Sequence, residues 1–392
     1  MARAERLGVW LLAIGQTLGF ASLVYVFGAI LLALESGSGW SRAELSLGPT
    51  LALLTQALLA PYSGRLVDRG LGGLLLGGAA ALGAACLIAL SQVTHLGLWL
   101  GLWVVIGAAQ AASLYETCFS FLTRRLGRDA RPAIIRVTLV AGFASTLAFP
   151  IGAWSGAEFG WRGALVTFAI LQVLITVPAN VAGVALLRRG ERRGAPLVET
   201  PKGAIRAALR RPEFWALAGL FGLMMGNHTM LFTFALPVLT DRGAAPGLAV
   251  LVASSVGPMQ VAGRVALMLG GARIHAGAAA RAIALVMCAA SVALLVASGE
   301  AWLLFLYAVC QGSSIGIASI LRPLLTAEAL GYENFGALSG ALAIAPLTAG
   351  AAAPFLGALL IGAGGVTLLL SVTLLLALGA VALALWLRTR GI

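Results

Sequence analysis

Seven polar side chains stand inside long apolar runs of this chain and bound the chemistry open to it. They are the amides Gln16, Gln110, Asn227 and Gln311, the carboxylate Glu116, the imidazole His228 and the guanidinium Arg264. Amides donate to and accept from many small molecules, and an arginine can grip a carboxylate through paired hydrogen bonds. A glutamate in an apolar setting, or a histidine, can take up and release a proton. The chain has no H-E-x-x-H, no carboxylate cluster and no serine motif of a strand-to-helix turn. Binding is therefore expected rather than catalysis, with no metal and no cofactor.

The elements that must position these groups are membrane helices. Of 392 residues, 60% are hydrophobic and only 10% charged, against about a quarter charged in a soluble domain. Apolar stretches of about 20 residues, the length that crosses a bilayer core, number twelve. They fall near 8–34, 43–63, 71–92, 96–123, 133–156, 161–187, 214–239, 246–271, 278–298, 301–325, 333–361 and 365–387. The fold expected is all-α and integral to the membrane, with six-helix bundles at 1–187 and 214–392 and a cytoplasmic linker at 188–213. The net charge of +12 lies in short turns between apolar runs, so no nucleic-acid partner is implied. Cys86, Cys118, Cys288 and Cys310 sit in apolar runs as small packing residues.

Basic residues decide the orientation. With the amino terminus inside, 22 Arg and Lys fall on the inner side and 3 on the outer, with Arg264 within the eighth span. Basic residues are retained on the cytoplasmic side, so both termini are expected in the cytoplasm and the protein in the plasma (inner) membrane. In the linker, Ala204 to Arg211 sets Ile205, Ala208 and Leu209 against arginines, as in a helix lying on a membrane surface. The linker either tethers the halves or serves as a regulatory site.

The halves repeat one another. Gln110 and Gln311, Gly127 and Gly331, Pro150 and Pro354, and Gly64 and Gly263 recur at offsets of 201, 204, 204 and 199. Such a run of matches points to a duplicated six-span unit. Polar residues concentrate in spans 1, 4, 7 and 10, because a charge at mid-bilayer costs about 2.5–3.5 kcal/mol unless it faces a bundle interior or a wet cavity. Gln110, Ser113, Thr117 and Ser120 follow helical spacing with Glu116 at their border, and Gln311, Ser314, Ala318 and Arg322 share one face.

Between spans 2 and 3 lies Gly64-Arg65-Leu66-Val67-Asp68-Arg69-Gly70, a basic turn that must reach water. It resembles the G-x-L-x-D-R-x-G signature of the major facilitator superfamily, with glycine directly after Arg69. The resemblance extends over essentially the whole chain through the twelve spans, the long central loop and the duplication. It implies two rocking halves with spans 1, 4, 7 and 10 lining a central cavity. It also implies a gating turn of Gly64, Arg65, Asp68 and Arg69, in which Asp68 caps span 3 and steadies one of two alternating states. A finer resemblance, to the oxalate/formate and monocarboxylate branch, rests on Gly39 to Ser46 and on Gly257 to Arg264. In that branch an arginine in span 8 holds a carboxylate, and Arg264 matches it. Gln260 stands where animal members carry an aspartate, and no span contains a lysine.

The function expected is secondary active transport of a small organic anion, coupled to protons, with Arg264, Gln16, Gln110, Asn227 and Gln311 at the substrate. Glu116 and His228 are the proton-coupling candidates. The alternative is proton-coupled efflux of an amphipathic or toxic molecule with Glu116 as acceptor, and a further one is a receptor or scaffold without transport. Arg264 either anchors an anion or bonds to backbone carbonyls at a gate. Glu116 either carries the proton or pairs with Arg264, Arg136 or Arg322. His228 either titrates or sits neutral at a helix contact. The partners expected are the lipid bilayer, a small molecule and protons, with a monomer as the default.

Overall fold

The computed structural model describes residues 3–127, 130–188, 204–270, 275–330 and 335–391, and among these there are helices and no strands. Backbone groups in hydrocarbon have no water to bond, so a chain this apolar must satisfy them within helices. The chain divides into two compact units, Met1–Leu197 and Val198–Ile392.

In the first unit, α1 (Arg3–Phe20) and α2 (Val26–Gly37) form one span through a π turn at Ala21–Tyr25. Next come α3 (Arg42–Asp68), α4 (Gly72–Ser91), α5 (Leu96–Ser113), α6 (Tyr115–Leu126), α7 (Ala130–Ala141), α8 (Ala144–Leu171) and α9 (Val177–Arg188). The apolar run Pro132–Arg188 is 57 residues long, about 85 Å as a straight helix and far beyond the ~30 Å hydrocarbon core. It is broken at Gly160, whose φ of 65° and ψ of 177° leave the helical region.

Close glycine contacts show that the chain reverses there. A Cβ placed on Gly8 would lie 2.9 Å from Gly183 O, on Gly15 2.1 Å from Asn180 Oδ1, and on Gly37 2.8 Å from Trp161 Cδ1. Residues 161–183 thus run antiparallel to the first span. A Cβ on Gly152 would meet Ala29 Cβ at 2.6 Å and one on Gly156 would meet Ala33 Cβ at 3.3 Å, so this segment runs parallel to it. Backbones approach this closely because membrane helices associate through small residues.

The second unit repeats the scheme. A short helix, α10 (Ala204–Ala208), precedes α11 (Pro212–Thr233), α12 (Ala235–Asp241), α13 (Pro246–Gly270), α14 (Ala276–Val296), α15 (Ala301–Leu330) and α16 (Phe335–Thr389). The helices α11 and α12 meet at a 70° bend. Within α16, Gly364 and Gly365 leave the helical region, the latter with φ of 72°. Before that break Gly350 packs on Met225 and Gly357 on Phe234, parallel to the seventh span. After it Thr373 and Thr367 meet Asn227 and Arg242 in the antiparallel sense. Among the described residues there are up to ten apolar runs, two of which contain these reversals, and this is compatible with twelve crossings.

Two local expectations change. The helix α3 runs through Asp68, so Gly64 to Asp68 are helical and the turn is only Arg69 to Leu71. The reason is packing: Val67 is buried in a cluster with Leu76, Phe121 and Leu122, which holds the last turn of the helix. The N-cap position of α4 is Leu71 rather than Asp68, and the Asp68 side chain lies outside the described set, as do Gly331 and residues 189–203 of the linker. The other change is at Ser41 and Glu44, part of the stretch that resembles the monocarboxylate branch. They form a reciprocal capping box at the start of α3, so the helix terminus itself calls for these residue types.

Candidate functional site

The four amides are buried and bonded across helices. Gln16 and Gln311 are 0% exposed, Asn227 0% and Gln110 1%. Gln16 Nε2 donates to Ser113 O at 2.8 Å, and Gln110 Nε2 donates to Leu23 O at 2.7 Å. Asn227 Nδ2 donates to Thr373 O at 2.7 Å and to Ser291 Oγ at 3.2 Å. Gln311 Nε2 donates to Asn227 Oδ1 at 3.0 Å and lies 3.4 Å from His228 Nδ1. Their sequence pattern suggested cavity lining, but the N–H groups are used within each unit to join helices. A polar group taken from water needs such a partner, and the neighbouring helix supplies one.

The fourth span carries the sharpest local feature. Its helix stops at Ser113, passes through Leu114 in an extended conformation (φ −92°, ψ −159°) and restarts at Tyr115. A break frees carbonyls at the end of α5. Gln16 takes up Ser113 O, and Thr117 Oγ1 donates to Ala111 O at 2.8 Å. Glu116 stands in the first turn of α6, where the helix dipole favours a carboxylate. Its side chain is exposed, and it makes no ion pair among the described residues.

Aromatic rings surround this position. Tyr115 lies 4.4 Å from Phe20 and stacks on Phe119 at 4.7 Å, and Phe20 lies 6.4 Å from Tyr25. At 100° per residue, Tyr115, Phe119 and Glu116 occupy one continuous sector of α6. These rings went unremarked in the sequence because aromatic residues in an apolar run read as core. The signal available was their i, i+4 spacing around the acid of the fourth span.

The polar residues of the second unit are placed differently. His228 is 9% exposed, with Phe232 at 5.5 Å and Gln311 on its Nδ1. Arg264 is 9% exposed. It lies where α13 and α15 nearly touch: a Cβ on Gly316 would be 2.2 Å from Gln260 O, and one on Gly263 2.7 Å from Ser313 O. Among its interactions, Arg264 Nε points to Gly316 O at 3.4 Å. The guanidinium is thus packed into the helix crossing.

At the turn after α3, Arg65 lies exposed over the Tyr62 ring at 5.5 Å. Arg69 and Gly70 close the turn through backbone bonds to Arg65 O and Val67 O, and a Cβ on Gly64 would meet nothing within 4 Å. Two arginines outside the motif hold it: Arg124 Nη1 donates to Val67 O at 3.2 Å and Arg188 Nη2 to Gly70 O at 3.3 Å. Cations suit the negative end of a helix. Their position at the ends of spans 4 and 6 was visible in the sequence, but the carbonyls they bond were not. Among the described residues, no three His, Cys, Asp or Glu side chains converge as metal ligands.

Two units of apolar helices with matching internal order are an architecture found in many membrane transporters. The chain matches the model of the Major Facilitator Superfamily over residues 9–345 and belongs to that family. No curated protein matches it by sequence. Its fold is similar to a bacterial homologue of the human lysosomal transporter Spinster in an inward-facing, unoccupied conformation. That likeness has a TM-score of 0.69 at 15% identity, over 99% of this chain and 96% of the other. It is also similar to the nucleoside transporter NupG, with a TM-score of 0.71 at 14% identity, over 99% of both chains. The protein is a multi-pass membrane transporter rather than an enzyme.

Proposed function

We propose that the protein moves an amphipathic small molecule with a positively charged end, in exchange for protons, with Glu116 as the group that both compete for. The observation that carries this reading is the exposed carboxylate of Glu116, without an ion pair among the described residues, in one sector with Tyr115 and Phe119. A carboxylate inside a span needs a counter-charge, a proton or water, and flanking ring faces attract an organic cation. One site that holds either a proton or a cation couples their movements. The organic-anion reading needs Arg264 open to solvent, and its burial in the α13–α15 crossing gives that reading less support. Of the two proton-coupling candidates, Glu116 is exposed and His228 is buried beside Gln311. The excess of basic residues on one side supports cytoplasmic termini in the plasma membrane.

The test is flux into proteoliposomes of tetraphenylphosphonium, small carboxylates and nucleosides, with and without a pH gradient. Wild type, Glu116→Gln and Arg264→Gln are compared. Gradient-driven movement of tetraphenylphosphonium that Glu116→Gln abolishes is the expected result. Carboxylate flux that depends on Arg264 and is indifferent to Glu116 would return the site to the second unit and defeat the proposal.

A further inference from the structure

Spans 1 and 4 exchange amides at their irregular points. Gln16, in α1, donates 2.8 Å to Ser113 O, the last carbonyl before the break in span 4. Gln110, in α5, donates 2.7 Å to Leu23 O, inside the π turn of span 1. The residues are 97 and 87 apart in the chain, and both bonds are buried. Neither Leu114 nor its neighbours Ser113 and Tyr115 is a glycine or proline, the usual cause of a sharp kink. In a continuous helix Ser113 O would accept from the N–H of Thr117. Here Gln16 donates to that carbonyl, and the Thr117 hydroxyl turns back to Ala111 O. The carbonyls at the break are thus bonded both from span 1, by Gln16, and from within span 4, by Thr117.

We infer that Gln16 and Gln110 are positioning residues for Glu116: their reciprocal bonds fix the break at Leu114, and the break makes Glu116 the first turn of a new helix beside Phe119 and Tyr115. This rests on the reading of Glu116 as the cargo carboxylate. Without Gln16, Ser113 O is left to the Thr117 N–H, the helix closes through Leu114, and Glu116 rotates with the segment after it. Gln110, bonded to the π turn that follows Phe20, sets the other wall of the aromatic sector in the same way. The unpartnered Oε1 atoms of both amides show that their donors, not their acceptors, make the clasp.

The test uses full-length protein and two readouts. In the first, tetraphenylphosphonium affinity is measured for wild type, Gln16→Leu, Gln110→Leu and Gln16→Glu. A protonated carboxyl can donate to Ser113 O and a carboxylate cannot. The affinity of Gln16→Glu relative to wild type should therefore be within about twofold near about pH 5 and about tenfold weaker near about pH 8, the loss of one charge-neutral clasp bond being about a factor of ten. In the second, Glu116→Cys is labelled with a maleimide with and without Gln16→Leu, and the rate should change at least about threefold as the segment turns. A pH-independent ratio together with an unchanged labelling rate would overturn the inference. Should wild type bind no tetraphenylphosphonium, the cargo reading falls and the labelling rate alone decides positioning. Should Gln16→Leu fail to fold, Gln16→Glu, of the same size, carries both readouts.

Discussion

Replacing Asn227 by alanine separates a helix-joining amide from a substrate-binding one. The side chain makes three hydrogen bonds inside the second unit, to Thr373 O, to Ser291 Oγ and from Gln311 Nε2. Interhelical hydrogen bonds in membranes average about 0.6 kcal/mol and reach about 1.7, so three of them, with little relaxation at 0% exposure, amount to about 2–3 kcal/mol. For a unit the size of Val198–Ile392 that is a fall of about 4–12 °C in Tm. Asn227→Asp should be worse, since it sets a carboxylate against Thr373 O where an N–H now donates. The assay is thermal unfolding in detergent, run beside tetraphenylphosphonium binding. The expected outcome is a lower Tm with affinity changed less than about twofold, since no bond of Asn227 reaches Glu116. An unchanged Tm with lost binding would show that Asn227 faces the cargo and that burial was the wrong guide.

Three further outcomes follow from the geometry. Gly316→Val should prevent folding, because even its Cβ would sit 2.2 Å from the backbone oxygen of Gln260. Gly78→Ala, with open space around it, should be neutral or up to about 1 kcal/mol stabilising, and size-exclusion profiles of the two will tell. Arg124→Ala and Arg188→Ala should each loosen the turn after α3 by about 0.3–1 kcal/mol, seen as faster hydrogen exchange at Arg69 to Leu71 and greater in the double variant. Outside the spans, the Ser298 N–H donated to Glu300 at 2.7 Å holds that carboxyl below the usual carboxylate range. This loop contact is present above the ordinary value and is lost as pH falls through the lowered one, so the protection of the Ser298 amide, relative to its intrinsic exchange rate at each pH, should fall only in acid.

The spans and the duplication were legible because lipid enforces them. Gly160 and Gly364 fell between predicted spans, with Gly365 opening the last of them, and the structure reverses at both places. The amides were legible as residues but not as partners. Helical spacing tells which side chains share a face, yet the face of Gln16 that looks to a cavity and the face that looks to span 4 carry the same pattern. The break at Leu114 carries no glycine or proline signal, and the Gln16 bond at its edge comes from almost a hundred residues away. Asp68 was expected to cap the next helix, but burial of Val67 carried α3 on to Asp68 itself. Glu116 was singled out by its isolation, and its exposure, with no ion pair among the described residues, supports the proton-carrying reading that we propose over a structural ion pair.

Most of the scaffold bonds share one property, which bears on how such a protein can change. Gln16, Gln110, Asn180, Asn227, Arg124, Arg162 and Arg188 all donate to main-chain oxygens, those of Ser113, Leu23, Leu76, Thr373, Val67, Ser91 with Val93, and Gly70. A main-chain oxygen is present whatever side chain the position bears. Drift at the accepting positions therefore leaves the latticework standing, and constraint falls on a few donors. A lineage could rewrite the rings around Glu116, the cargo site that we propose, while inheriting the bundle unchanged.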